Sequence, residues 1–174
     1  MIIWFTGLSG SGKTTLCKLL ASKLYNEGYT VEWLDGDNVR KELKIESDFS
    51  KEGILKNNFE IINRIKLLEK KVDFILISLI TPYEEIRKKA RNTLGKKYFE
   101  VYLKCDKKIL IKRDTKGLYN KAIKNEIDNL IGFSAKSPYE EPKKPNLIIE
   151  TDLIITEKAV SIIYNKLMIN YNEQ

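Results

Sequence analysis

Residues 7–14 read GLSGSGKT and satisfy every fixed position of the phosphate-binding pattern G-x-x-x-x-G-K-[ST]. The glycines at positions 7, 10 and 12 allow backbone conformations closed to residues with a Cβ, so that successive N–H groups can turn toward one anion. Lys13 offers an ammonium group to the β and γ phosphates, and Thr14 offers a hydroxyl to the accompanying magnesium ion. The pattern therefore predicts a site for a nucleoside triphosphate with Mg²⁺.

Two flanking segments must position this loop. Residues 1–6 form an apolar run rich in β-formers, and residues 15–24 carry apolar side chains at helical spacing. Strand, glycine loop and helix is the arrangement that the pattern requires, and the helix adds the positive end of its dipole to the site.

The rest of the chain alternates between strand and helix patterns. We predict strands over 30–34, 73–80, 98–103 and 146–150, and helices over 51–70, 106–113 and 157–169. Residues 36–46 are compatible with a helix, and 47–50 read as a loop. Another helix opens at Thr81, which we predict as N-cap, with Pro82 first and Glu84 closing a capping box. This order predicts an α/β fold, a three-layer sandwich around a parallel five-stranded sheet, in a single domain over 1–174.

Composition excludes several classes of protein. The 174 residues are 43% hydrophobic and 32% charged, which is typical of a globular domain. We see no apolar run long enough to span a membrane and no signal-peptide start. The two cysteines are too few for a disulfide framework. We therefore expect a cytoplasmic protein with no membrane partner. Histidine is absent, so a general base must be a carboxylate, a lysine or the substrate's own phosphate.

The net charge of +7 has three explanations: binding of nucleic acid, steering of polyphosphate substrates, or a general leaning toward lysine. The lysines are scattered along helices and are not clustered with aromatic residues. We therefore expect no nucleic-acid partner.

Four further segments name a family. LDGDNVR at 34–40, TPY at 81–83, RDTKGLY at 113–119 and SPYEEP at 137–142 occur in that order. Together with the loop they resemble the adenylylsulfate kinase family over nearly the whole chain. That family transfers the γ-phosphate of ATP to the ribose 3′-hydroxyl of adenylylsulfate. The resemblance implies a P-loop kinase that uses ATP and Mg²⁺, a mobile lid at about 113–142, a small nucleotide as acceptor and a homodimer.

Residue roles follow from the chemistry and the resemblance. Phosphoryl transfer needs positioning and charge neutralisation, and Asp35, at the carboxyl end of a strand, can orient or deprotonate a hydroxyl or hold magnesium through water. The predicted catalytic residues are Lys13, Asp35 and Lys116, and the predicted metal ligand is Thr14. The predicted ATP-binding residues are Gly7, Leu8, Ser9, Gly10, Ser11, Gly12, Lys13, Thr14, Thr15 and Arg113. The predicted acceptor-binding residues, which rest on the resemblance, are Asp37, Asn38, Arg40, Phe49, Asn57, Ile80, Thr81, Lys116 and Leu130.

Thr81 stands where many bacterial relatives carry a serine that is sometimes described as a phosphoenzyme intermediate. Its capping role explains the hydroxyl fully. We therefore predict direct in-line transfer, with Ile80 and Thr81 lining the acceptor site.

The acceptor positions depart from the family pattern. Gly53-Ile54 replaces Asp-Arg, Lys56 replaces Glu, Phe59-Glu60 replaces two arginines, and Leu130 aligns with an aromatic that stacks on adenine in relatives. Losing one arginine contact costs about 2 kcal/mol and losing one stacking face about 1–3 kcal/mol. These changes favour a divergent acceptor such as cytidine diphosphoramidate, used in capsule modification. Adenylylsulfate, in sulfate assimilation, is the alternative.

A different class of function is also open at this point, a nucleotide-binding module that has lost catalysis. Five retained side chains argue against it, because a pure binder needs none of them: Asp35, Asp37, Arg40, Asn57 and Lys116.

Overall fold

The computed structural model describes residues 1–42 and 50–173, with the side chains of Arg40 and Lys41 outside the description. Its strands are β1 (Ile2–Thr6), β2 (Val31–Asp35), β3 (Phe74–Ser78), β4 (Tyr98–Lys104) and β5 (Leu147–Glu150). Its helices are α1 (Lys13–Asn26), α2 (Gly36–Glu42), α3 (Lys51–Leu68), α4 (Glu84–Leu94), α5 (Lys107–Arg113), α6 (Leu118–Ile123) and α7 (Thr156–Asn172), with a short 3-10 helix at Gly95–Lys97.

The five strands form one parallel sheet in the order β2-β3-β1-β4-β5. Every residue of β1 and β3 is buried, as expected of parallel strands that helices cover on both faces. The register pairs Asp35 with Ser78, so the last residues of β2 and β3 lie side by side. The carboxyl ends of all five strands consequently meet at one edge of the sheet.

Helices cover both faces of the sheet. Apolar residues of α1 and α7, such as Leu20 and Ile163, pack with Phe5 and Val101 on one face. Residues of α3 and α4, such as Ile61 and Ala90, pack with the opposite face. The predicted three-layer α/β sandwich with five parallel strands is confirmed, and within the described part of the chain no helix is both long and apolar enough to cross a bilayer.

The predicted start of α4 is wrong. The helix begins at Glu84, after Tyr83, and Thr81 lies three residues earlier with a φ of 48°. The carboxylate of Glu140 accepts the Glu84 N–H at 2.7 Å, and the Glu84 side chain pairs with Arg87. A distant segment thus supplies the cap that the local sequence pattern assigned to Thr81.

Residues 113–142 lie over the phosphate loop. Asp114 accepts the backbone N–H groups of Tyr119 and Asn120, both at 2.9 Å, which fixes the start of α6. The Tyr119 hydroxyl donates to the Ser9 carbonyl at 2.9 Å, so this segment is tied to the loop beneath it.

Candidate active site

A cleft of about 770 Å³ opens at the carboxyl edge of the sheet. It runs from the phosphate loop to the first turns of α3 and the turn after β3. Of the predicted site residues, those that line it are Ser9, Gly10, Ser11, Gly12, Lys13, Thr14, Thr15, Asp35, Asp37, Asn38, Asn57, Ile80, Thr81, Arg113 and Lys116. Gly7 and Leu8 belong to the loop, and contribute their carbonyl groups to it.

The phosphate loop has the backbone that its glycines predict. Gly10 and Gly12 have φ values of 77° and 92°, a region that favours glycine. Gly7 is needed for space as well, because a Cβ there would lie 2.6 Å from the Leu103 carbonyl oxygen. Ser11 is fully buried, and its Oγ has no hydrogen-bond partner among the described residues. The loop is thus shaped for a group that the protein itself does not provide.

Lys13 has no counterion among the residues that the structure describes. Its Nζ donates to the carbonyl oxygens of Gly7 and Leu8, both at 2.8 Å, and it forms no ion pair within the described ranges. Burial, with a smaller contribution from Lys116, lowers the pKa of Lys13 to about 7, while Asp35 opposes the shift. An anion bound at this position would supply the charge that the ammonium lacks.

Asp35 is held on both of its oxygens. Its Oδ2 accepts the Ser78 hydroxyl at 2.7 Å and the Thr14 hydroxyl at 3.3 Å, and its Oδ1 accepts the Asp37 N–H at 3.0 Å. A hydroxyl beside a carboxylate is the kind of hard-oxygen pair that Mg²⁺ prefers. The residues present therefore fit the metal that the loop pattern implies.

Lys116 reaches the other side of the cleft. Its Nζ lies 2.6 Å from Asp37 Oδ2, across 79 positions of sequence. Asn38 lies nearby and is exposed to solvent. The backbone of Arg40 continues α2, but its side chain lies outside the described residues, as does all of Phe49.

The far half of the cleft has an apolar wall with polar atoms set into it. Ile54 and Ile131 pack together there and are both 8% exposed. Asn57 and Asn58 are also buried, and in the described part of the chain neither amide oxygen has a hydrogen-bond partner. Because native proteins satisfy nearly all buried polar groups, two such oxygens in one cleft indicate a ligand with N–H or O–H donors.

Two predictions for this half need correction. Leu130, predicted to bind the acceptor, is not among the residues that line the cleft: it packs with Leu110 and Tyr119, and the following residue, Ile131, lines the cleft. Thr81 lines the cleft, but not as a helix cap. Its Oγ1 accepts the indole N–H of Trp4 at 2.8 Å, and its side chain is 1% exposed.

Arg113 lies at the end of the cleft next to β5. Its guanidinium donates to the Thr151 carbonyl oxygen at 2.7 Å, in the turn between β5 and α7. Thr151, Thr156 and Ala159 line the cleft there, and sequence reasoning missed them. Their position in the sequence could have indicated them, because they follow the parallel strand β5 and ligands of such sheets bind beyond the carboxyl ends of the strands. The same rule would have found Ser78, the last residue of β3.

The fold and this cleft define a P-loop nucleotide-binding protein of the α/β class. Comparison with known proteins gives the family. The adenylylsulphate kinase family model matches residues 1–150, and the chain belongs to that family.

Individual relatives agree with this result. A probable adenylyl-sulfate kinase of Pyrococcus abyssi is 42% identical over 164 residues, which are 94% of this chain and 92% of that protein. An adenylyl-sulfate kinase of Clostridium acetobutylicum is 42% identical over 159 residues, 91% of this chain and 78% of that protein. The solved structure of the Mycobacterium tuberculosis APS kinase CysC, in complex with AMPPNP and APS, superposes with a TM-score of 0.86 at 31% identity, covering 96% of both chains.

These findings confirm the resemblance, the fold class and the prediction of an ATP- and magnesium-dependent phosphotransferase that acts on a hydroxyl group. The relatives reported above are named for adenylyl-sulfate, and they lend no support to a cytidine diphosphoramidate acceptor. The roles of single residues, the lid and the homodimer stay predictions.

Proposed function

We propose that the protein transfers the γ-phosphate of ATP to the ribose 3′-hydroxyl of adenylylsulfate. One observation carries the proposal: a single cleft joins a phosphate loop to a second half with buried amide oxygens that have no hydrogen-bond partner among the described residues. The names of the relatives support adenylylsulfate as the acceptor. The proposal deepens the family assignment by giving each half of the cleft one substrate.

The phosphate loop would hold the triphosphate of ATP. Gly10 and Gly12 open the backbone toward an anion, and Lys13 would regain a full charge beside the phosphates. Thr14 would hold Mg²⁺, which neutralises charge on the phosphates when it is bound. Arg113 and the β5–α7 turn would cover the rest of the nucleotide, because that turn closes the same end of the cleft.

The acceptor would enter the far half of the cleft. Asn57 would bind a donor group of the acceptor nucleotide, and Ile54 and Ile131 would pack against its flat faces. Asp35 lies between the two halves, so it would accept a hydrogen bond from the attacking hydroxyl and orient it toward the γ-phosphate. Asp37 is the weaker candidate for this role because Lys116 already pairs with its carboxylate.

Residues 113–142 would act as a lid. Lys116 belongs to this segment and lies close enough to Lys13 to depress its pKa, so it can reach the transferred phosphate from above. Closing the lid would exclude water, which is the competing acceptor in any phosphoryl transfer.

A cytidine acceptor remains a second candidate because of Ile54. This apolar side chain lines the cleft where relatives carry an arginine, and a less acidic substrate needs fewer arginines. Lys51 is one candidate for a compensating cation, because its ammonium lies 5.3 Å from the centroid of the Tyr83 ring, which packs in the same cluster as Ile54.

The test is an ADP-release assay with purified protein, ATP and Mg²⁺, in which adenylylsulfate and cytidine diphosphoramidate are compared as acceptors. We expect a clear preference for adenylylsulfate and a product phosphorylated at the 3′ position, identified by mass spectrometry. A preference for the cytidine compound would overturn the proposed acceptor but keep the kinase. Turnover with neither acceptor would overturn both.

A further inference from the structure

A chain of two hydrogen bonds runs to the Asp35 carboxylate from the neighbouring strands. The indole Nε1–H of Trp33 donates to Ser78 Oγ at 3.0 Å, and the Ser78 hydroxyl donates to Asp35 Oδ2 at 2.7 Å. All three residues line the cleft. Neither Trp33 nor Ser78 belongs to the phosphate-loop pattern or to the family motifs.

The direction of this chain is fixed. A serine hydroxyl has one proton, and an indole N–H can only donate. Since Trp33 occupies a lone pair of Ser78 Oγ as donor, the serine proton is left to point at Asp35. Sheet geometry holds the three groups in place, because Trp33 and Asp35 lie on the same face of β2 and Ser78 pairs with Asp35 in the register.

The two oxygens of Asp35 consequently differ. Oδ2 accepts two hydroxyl groups, from Ser78 and Thr14, which is all that its two lone pairs allow. Oδ1 accepts only the Asp37 N–H among the described residues. It keeps one lone pair for a substrate hydroxyl or a metal-bound water.

We infer that Trp33 and Ser78 are positioning residues for the phosphoryl-transfer step, and that they anchor Oδ2 so that Oδ1 of Asp35 faces the reaction. The inference rests on the proposed function, since it assigns the oxygen through which Asp35 acts. A freely rotating carboxylate would present either oxygen at many angles, and orientation is a large part of what an enzyme supplies in this reaction.

The test uses Ser78→Ala and Trp33→Phe, singly and together. Trp33→Phe keeps an aromatic ring at this position and removes the N–H donor. Ser161→Ala is the control: this serine lies on the exposed face of α7, and its hydroxyl donates to the Glu157 carbonyl oxygen of the same helix. For each variant we would measure kcat, the KM for ATP and the melting temperature.

We expect Ser78→Ala to lower kcat about tenfold, the value of one hydrogen bond to a charged group. Trp33→Phe should lower it about threefold, because it acts through Ser78. The double variant should match Ser78→Ala, since Trp33 has nothing left to orient. The KM for ATP should stay within about twofold, because the phosphate loop is unchanged.

Three results would overturn the inference while the wild-type protein still turns over: unchanged kcat in Ser78→Ala, effects of the two changes that multiply, or an equal loss in Ser161→Ala. If Ser78→Ala does not fold, Trp33→Phe alone decides, and an unchanged kcat in that variant is again a refutation. No turnover by the wild-type protein would instead refute the proposed function.

Discussion

Lys13 is the cation of the phosphate loop, and its surroundings disfavour its charged form. Burial lowers its pKa from 10.5 to about 7, so the folded protein holds this amine largely neutral above that pH. Between the two values the unfolded chain binds the extra proton, so the contribution of Lys13 to stability rises with pH across this window and is least favourable below it. A bound polyphosphate should reverse the shift.

We therefore predict that ATP binding takes up roughly one proton at about pH 8, as the pKa of Lys13 returns above the solution pH. Calorimetry in buffers of different ionisation enthalpy measures this uptake. Lys13→Arg, which stays charged, is the control and should show none from this site. Equal binding enthalpies for the wild-type protein in all buffers would contradict the prediction.

Asn57 is a buried polar residue that would stabilise the proposed complex at the expense of the free protein. Its amide oxygen is buried without a partner among the described residues. We predict that Asn57→Leu raises the free energy of unfolding by about 1 kcal/mol, because it replaces an unsatisfied buried acceptor with an apolar side chain of the same branching. The same change should raise the KM for the acceptor about tenfold.

Chemical denaturation and steady-state kinetics check the two halves of this prediction. Asn165→Leu, at an exposed position of α7, controls for the substitution itself. An unchanged acceptor KM in Asn57→Leu would remove this residue from the acceptor site.

At the scale of elements, the turn between β3 and α4 forms one wall of the cleft, in the half that we propose for the acceptor. Thr81 is β-branched and has a φ of 48°, a conformation that such residues rarely adopt. The surroundings enforce it: Trp4 donates to its hydroxyl, and the fully buried Arg87 donates to its carbonyl oxygen at 2.7 Å. A strained residue held in this way at a cleft is typical of a functional site.

The position of the Thr81 hydroxyl argues against a phosphoenzyme. A phosphoryl group there would place up to two negative charges at a residue that is 1% exposed and packed against the Trp4 indole. We predict that protein incubated with ATP radiolabelled at the γ-phosphate and then denatured retains no label at Thr81. Thr81→Ala should still turn over, and label that disappears in this variant would show that transfer passes through the threonine.

The sequence predicted the elements better than their ends. Apolar patterns placed all five strands, and the signal is continuous for β1 and β3, which are buried on both faces. The start of α4 failed because its cap comes from Glu140, more than fifty residues away. Leu130 failed for a related reason: in a loop without periodicity, a shift of one position moves a side chain from behind the cleft into it.

At the scale of the molecule, one ion pair joins segment 113–142 to α2 across the cleft. The Lys116–Asp37 ion pair spans the cleft, with about half of each side chain exposed (54% and 47%). Pairs so exposed contribute little to stability. Their value here would lie in holding charge over the site.

We predict that Lys116→Met changes the free energy of unfolding by less than about 1 kcal/mol but lowers kcat about hundredfold. Lys136→Met provides a matched control. Lys136 belongs to the same segment as Lys116 and also pairs with an aspartate, Asp128, at 2.8 Å, and its side chain is even more exposed. Denaturation and turnover of the two variants check the prediction. Equal kcat values for both variants would count against a catalytic role of Lys116.

The two cysteines give the molecule a pair of chemical reporters. Cys17 is fully buried on α1, and burial raises the pKa of its thiol well above the usual value, so alkylating reagents should reach it only when the sandwich opens. Cys105 is partly exposed and lies 3.5 Å from the Arg113 guanidinium. Its alkylation would sense the end of the cleft near β5, while that of Cys17 records global opening. One labelling time course could thus separate closure around a nucleotide from stabilisation of the whole fold.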